Sequence, residues 1–249
     1  LQVMGCEVNL VIPAPQPKWY RRIFGDWHKG GTILSPDSID WFENKIPVSV
    51  APKLHSRYMP KADILLASSW QTAHSAFDMP ADVGRKFYFV QHHECLWTRD
   101  KEKARQTYRL PFTKIVVSTW LKEIMLNVYQ QESHLFVNPV DRQQFFCAKK
   151  QWNRPRKVCL LHHDYDWKGF AEGIQAVQRV RSQGYDLEVV VFGEKTDDPS
   201  PLFKSAGFEF EYHYRPKQLQ LIYSACDIYL CPSWYEGLGL PAMEAMACR

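Results

Sequence analysis

The chain has 249 residues, 45% of them hydrophobic, and a formal net charge of +4. No apolar run approaches the roughly 20 residues that span a bilayer, and no signal peptide opens the sequence, so a soluble protein large enough for more than one core is expected. Seven cysteines, an odd number with no C-x-x-C pair, argue against a disulfide framework or a zinc ribbon and make a reducing cytoplasm the default; a charge this small gives no argument for nucleic acid.

Short apolar runs rich in β-branched residues alternate with segments of helical period, the pattern of strands joined by crossover helices in a parallel sheet. The first series of predicted strands is Val8 to Ile12, Ile33 to Leu34, Val48 to Val50, Asp63 to Ala67, Lys86 to Gln91, Lys114 to Ser118 and Leu135 to Asn138. Within it, Pro17 to Lys29 mixes bases with aromatics. Such a segment can touch an anionic membrane surface, a lipid-linked acceptor or nucleic acid, but a solvated loop is its commonest meaning. Ala67-Ser-Ser-Trp70 and Ser118-Thr-Trp-Leu121 read as strand ends followed by hydroxyl helix caps. The strand end Gln91-His92-His93-Glu94 carries two histidines, of which alternation lets at most one face a given side.

Asp141 to Pro155 is polar, basic and without clear period, and is expected to link two domains. A second series of strands follows at Lys157 to Leu161, Leu187 to Phe192, Phe208 to Tyr212 and Asp227 to Cys231, with helices after Lys168, Pro216 and Leu240. Nine tryptophans are the compositional oddity; a sugar-handling protein can use them as stacking platforms, although most tryptophans pack into cores. There are no repeats and no low-complexity tract.

The last predicted strand runs into Cys231-Pro-Ser-Trp-Tyr-Glu236-Gly-Leu-Gly-Leu240-Pro-Ala-Met-Glu244-Ala-Met-Ala. Strand, glycine turn and helix start together favour an anion, because the first N–H groups of a helix lack intrahelical acceptors and Gly237 and Gly239 have no Cβ to keep a phosphate away. Pro241 fits the first turn, where its missing donor costs nothing. On one continuous helix Glu236 and Glu244 would lie about 80° apart, so the turn must bring them together. Two carboxylates beside a phosphate site do not bind its charge; they suit the hydroxyls of a ribose and a sugar. Lys168 stands at the start of a predicted helix, where a cation is unfavourable unless an anion sits between them.

The pattern Ser233-x-x-Glu236-Gly-x-Gly-x-Pro-x-x-Glu244-Ala-x-Ala closely resembles the Glu-x7-Glu signature of retaining glycosyltransferases of the GT-B fold, in particular glycosyltransferase family 4 of the group 1 type. An ordinary glycine turn accounts for the glycines but not for both glutamates with the proline and the small-residue helix. The resemblance implies an α/β, GT-B fold with two Rossmann-like parallel-sheet domains facing across a cleft. These would be an acceptor-side domain over 1–140, a linker over 141–156, and a nucleotide-sugar-binding domain over 157–249. Leu1 to Ile12 resembles the end of the first family helix and the second strand, and Arg249 falls inside the signature helix, so an incomplete first domain and an incomplete second are expected. Asn138-Pro-Val-Asp141 resembles the Asn-Gly-Val-Asp turn that closes the first domain, with proline in place of glycine.

The implied activity is transfer of a sugar, with retention, from a nucleoside diphosphate sugar to a hydroxyl of a glycan or lipid-linked acceptor, in glycan, polysaccharide or glycolipid biosynthesis. By resemblance Glu244 holds the ribose and Glu236 the donor sugar, while Lys168 and the N–H groups of Gly237, Leu238, Gly239 and Leu240 receive the diphosphate. The family places an arginine after the strand that precedes Lys168-Gly169; here His162 or His163 stands at that spacing, and imidazole offers less than guanidinium. Gln91 to Glu94 resembles a Gln-x-x-Glu segment of the acceptor side, where His92 or His93 would bond the sugar or orient the acceptor hydroxyl, a capped strand with a satisfied histidine being the plainer reading. His92, His93, Glu94, His162, His163 and Asp164 are types that suit zinc or iron, but the family holds its diphosphate with protein groups, so neither metal nor cofactor is expected. No nucleic-acid partner is expected; a cytoplasmic site, with peripheral contact at the inner membrane surface as an option, follows from the family. A nucleotide-sugar epimerase or phosphorylase of the same fold and a non-catalytic nucleotide-sugar or glycan-binding module stay open.

Overall fold

The computed structural model describes residues 4–14, 46–146, 152–193, 198–214, 216 and 218–248. The predicted strand Ile33 to Leu34 and the basic, aromatic segment Pro17 to Lys29 lie outside the described residues. The chain divides into two compact units, Leu1–Leu135 and Phe136–Arg249.

In the first unit, β1 (Leu10–Pro13) pairs in parallel with β2 (Val48–Ala51). A separate parallel sheet runs in the order β3 (Ile64–Ala67), β4 (Arg85–Val90), β5 (Thr113–Val116), β6 (Ser133–Leu135). The crossovers are α1 (Trp70–Phe77), α2 (Lys101–Tyr108) and α3 (Thr119–Tyr129). Hydroxyl caps start two of them. Ser69 accepts from the Thr72 N–H while Thr72 Oγ1 accepts from the Ser69 N–H, and Ser118 accepts from the Leu121 N–H. Tyr88, Val90, Val116, Val117, Leu121 and Met125 fill the core. Lys114 is buried as well, with no carboxylate partner among the described residues; its ammonium donates to the carbonyls of Leu110 and Phe112 and to Gln131 Oε1, and burial lowers it to about 8.

The second unit is a parallel sheet in the order β10 (Ile228–Tyr229), β7 (Arg156–His162), β8 (Leu187–Gly193), β9 (Glu211–Tyr214). Its helices are α4 (Phe170–Ser182), α5 (Ser200–Ala206), α6 (Leu219–Ala225) and α7 (Leu240–Ala247). Successive strand residues serve opposite faces. Cys159, Val190 and Phe192 pack with Ile222 and Tyr223 of α6 and with Cys248, whereas Leu160, Val189 and Val191 pack with Ile174 and Val177 of α4 and Ala206 of α5. Burial on both faces is why β7 and β8 read as continuous apolar runs. Phe145, within the segment whose polar sequence predicts a linker, and Val140 just before it also pack into the first of these cores.

Two strands are displaced from their predicted places. Ser133–Leu135 precedes the predicted Leu135 to Asn138, and Glu211–Tyr214 follows the predicted Phe208 to Tyr212. Phe208 and Phe210 alternate as in a strand, yet they pack edge to face with each other ahead of β9, and Phe210 does the same with Phe203 of α5.

Strand β10 is anchored through Asp227, which is 2% exposed. Its carboxylate accepts from the N–H groups of Asn153 (3.0 Å) and Lys157 (2.7 Å) and from Asn153 Nδ2 (3.1 Å). Asp227→Asn turns an amide donor toward one of these donors and removes the charge, and is expected to cost about 2 kcal/mol. Urea denaturation measures this; an unmoved midpoint would refute the anchoring role.

Candidate functional site

The sheet order 10-7-8-9 makes a reversal between β7 and β10, because the chain proceeds outward from β7 through β9 and then returns to the other side of β7. Crevices at such switch points, outside the carboxyl ends of the strands, are where open α/β sheets bind ligands. The segments after β7 and β10 are the ones that carry the lysine and the two glutamates. Each ends in a glycine of left-handed conformation that starts a helix: Gly169 (φ 69°) before α4 and Gly239 (φ 79°) before α7. Neither helix has a side-chain cap at that glycine, so the positive ends of both helices open onto the same pair of loops.

The two loops are in close backbone contact. A Cβ on Gly169 would lie 2.2 Å from the carbonyl oxygen of Pro232, which is why no larger residue fits there. The Trp234 N–H donates to the Trp167 carbonyl at 2.9 Å. Across this seam Lys168 Nζ lies 2.7 Å from Glu236 Oε1 and 2.9 Å from Oε2, with side-chain exposures of 14% and 24%. The ammonium also sits 4.5 Å from the centre of the Trp167 ring. Behind it runs a stack of rings, His163 on Tyr165, Tyr165 on Trp167 and Trp167 on Tyr235, at centroid spacings of 4.6, 5.5 and 5.4 Å. The stack stiffens the turn that presents Lys168 and Glu236.

Gly237 is buried, Leu238 and Gly239 are half-buried, and Leu240 is the first residue of α7. Glu244 lies one turn into that helix, half-buried; burial raises its carboxyl above the ordinary range, and the Tyr223 hydroxyl donates to it at 3.4 Å. Glu236 thus lies on the loop that leads into α7, and Glu244 lies inside that helix.

The histidines are placed differently from one another. His162 ends β7 with its side chain turned into the unit, 4% exposed, against Phe170 (4.6 Å between ring centres) and with Nδ1 3.4 Å from the Tyr212 hydroxyl. His163 accepts the Tyr165 N–H on Nδ1 and stacks on that tyrosine, so it belongs to the turn beside Lys168. His92 and His93 lie in the first unit, after β4. His93 Nε2 is 2.7 Å from the Tyr129 hydroxyl, and burial lowers the ring to about 4, so it is neutral at pH 7. His92 meets Trp120 edge to face at 6.4 Å. Among the described residues no group of three His, Cys, Asp or Glu side chains comes together to hold a metal ion, and no helix is long and apolar enough to cross a membrane.

The sequence pointed to Lys168 and Glu236 separately and missed that they form one pair. It also missed the Trp167 and Tyr235 rings, whose signal was their place one residue before each of these charges.

Residues 142–249 match the family model described as glycosyl transferases group 1. The match covers both loops of the site, from Lys168 to Glu244. Among solved structures, TarM of S. aureus, a mutant in complex with fondaparinux, alpha-GlcNAc-glycerol and UDP, is 16% identical over 75% of this chain and 41% of that chain, with a TM-score of 0.62. The pneumococcal O-GlcNAc transferase GtfA in complex with UDP and GlcNAc is 17% identical over 77% and 41%, at 0.57. The catalytic domain of starch synthase IV from Arabidopsis thaliana, bound to ADP and acarbose, is 17% identical over 75% and 55%, at 0.51. The chain thus spans about half or less of the structures it resembles. At such identities the likeness carries the fold, which is that of GT-B glycosyltransferases with parallel, Rossmann-like sheets. No curated protein matches the chain.

Proposed function

We propose that this chain carries the donor site of a retaining glycosyltransferase of family 4, moving a sugar from a nucleoside diphosphate sugar to a hydroxyl of a glycan or lipid-linked acceptor in glycan, polysaccharide or glycolipid biosynthesis. The observation that carries the reading is the pairing, at the switch point of the second sheet, of Lys168, directly before the uncapped start of α4, with Glu236, which packs against the glycine that starts α7. Ammonium and helix N-termini together suit two adjacent phosphates, and carboxylates next to them suit hydroxyls. The group 1 match over 142–249 supports the reaction class, and the UDP and ADP named for the neighbouring structures support a nucleoside diphosphate.

In this reading the bond between the anomeric carbon and the diphosphate oxygen breaks, and the leaving diphosphate gathers negative charge. Lys168 and the N–H groups around Gly237 to Leu240 face that charge, each well-aimed donor contributing roughly 3 kcal/mol to the barrier. These groups supply the positive charge the step needs, so the reading assigns no metal. Glu244 accepts from ribose hydroxyls; its raised affinity for a proton reflects burial, which a sugar hydroxyl relieves by bonding. Glu236 takes hydroxyls of the donor sugar. One of His92 and His93 is assigned to the sugar or the acceptor hydroxyl, and His163 to the phosphate side of the turn.

Lys168→Ala is expected to weaken binding of a nucleoside diphosphate about 10- to 100-fold, the worth of a charged hydrogen bond, and to leave binding of the bare nucleoside unchanged. Calorimetry with a uridine, guanosine, adenosine and thymidine series measures both. Equal losses for nucleoside and diphosphate would remove Lys168 from the phosphate site.

A further inference from the structure

Resting on the donor-site reading, we infer that Glu236 competes with the diphosphate for Lys168 and thereby makes the site discriminate a sugar-bearing donor from a bare diphosphate. The geometry is specific to a competitor. Both oxygens of Glu236 lie within 2.9 Å of Nζ, which engages the ammonium on the side of the α7 loop. The carbon stem of Glu236 leans on that loop, since a Cβ on Gly239 would meet its Cβ and Cγ at 3.8 Å. The carboxylate therefore reaches the ammonium from the loop that leads into α7, and takes the ammonium a diphosphate would use.

A phosphate that takes Nζ puts its own charge beside Glu236. Like charge then loosens the carboxylate's hold on the ammonium, and at 24% exposure it is not fully taken up by water. Hydroxyls of the sugar ring attached to the diphosphate give it new donors; inorganic pyrophosphate, or a nucleoside diphosphate whose ribose hydroxyls go to Glu244, gives it none. The exchange of partners is balanced for the donor and unbalanced for the product, so the same carboxylate that receives the sugar also weakens retention of what is left after transfer. A glutamate that only contacted the sugar would leave pyrophosphate binding untouched.

The test is a double-mutant cycle read by calorimetry with inorganic pyrophosphate, using the full chain with Glu236→Gln, Lys168→Ala and both changes together. Glu236→Gln is expected to tighten pyrophosphate binding about tenfold when Lys168 is present, and at most about threefold in the Lys168→Ala background, where only simple repulsion is left to relieve. Glu236→Ala, a second way of freeing the ammonium, should act in the same direction. Equal gains in the two backgrounds would mean bare charge repulsion and would overturn the competition. No gain, or a loss, would overturn it too, by showing that Glu236 positions Lys168 instead. Absence of pyrophosphate binding in the unsubstituted chain and in every variant would bring down the donor-site reading itself, an outcome distinct from binding that ignores Glu236.

Discussion

Gly169→Ala is expected to destabilise the second unit by roughly 3 to 5 kcal/mol and to abolish pyrophosphate binding at Lys168. Two costs add. The residue sits at φ 69°, where an L side chain is strained by about 1 to 2 kcal/mol. The new Cβ would also stand 2.2 Å from the carbonyl oxygen of Pro232 and 2.8 Å from its carbon, and these are backbone atoms that cannot rotate aside. Relief requires the loop after β10 to move as a body, which pulls on the bond from Trp234 to Trp167 and carries the N–H groups of Gly237 to Leu240 away from Lys168, so that the two halves of the diphosphate site no longer meet. Gly184→Ala is the control. Gly184 has φ 88° but nothing within 4 Å of a built Cβ, so it should cost only the conformational part, about 1 to 2 kcal/mol, and leave binding intact. Denaturant melts of both variants beside calorimetry decide the matter, and a Gly169→Ala protein no less stable than Gly184→Ala would show that the two loops are not packed as described.

What the sequence made legible was whatever depends on neighbours along the chain. The hydroxyl caps at Ser69 and Ser118 were readable because a cap acts within one turn. Strands β7 and β8 were readable because both faces are buried, leaving unbroken apolar runs. The helix after Leu240 was readable from its glycine, proline and small residues. Pairing between distant segments was not. Lys168 and Glu236 are 68 residues apart, and they meet only because β10 inserts beside β7 instead of extending the sheet beyond β9. The parallel pattern allows either placement. The same limit applies to His162 and His163, which fit one spacing equally well. Their fates diverge because β7 ends at His162, whose side chain follows the strand's alternation into the packed face, while His163 has left the strand. Phe208 and Phe210 misled for a related reason, since alternation marks which side a residue faces and not whether its backbone pairs.

A second large effect concerns the first unit, where Glu94→Gln is expected to make the protein roughly 3 kcal/mol more stable than the unsubstituted chain at pH 8 and about equal to it near pH 4.5. Glu94 is 8% exposed. Its Oε2 accepts from the Trp70 N–H at the start of α1 (2.8 Å) and from the Tyr88 hydroxyl (2.9 Å), and its own N–H donates to the Tyr108 hydroxyl (2.8 Å). The two bonds to the carboxyl favour its charged form, but burial outweighs them and raises it from the ordinary 4.5 to about 7. A carboxyl raised on folding holds its proton longer in the native state than in the unfolded one. The stability it contributes is therefore full below pH 4.5, falls through the interval up to about 7 and is gone above it. Glutamine keeps the shape and an acceptor for the same two donors and does not ionise. His93, lowered by burial from 6.5 to about 4, bends the pH dependence the other way, but it does so in both proteins and cancels in their difference. Urea midpoints of the two proteins at pH 5 and pH 8 measure that difference, and a value that does not change between the two pH values would show that Glu94 is already ionised in the native unit at pH 5.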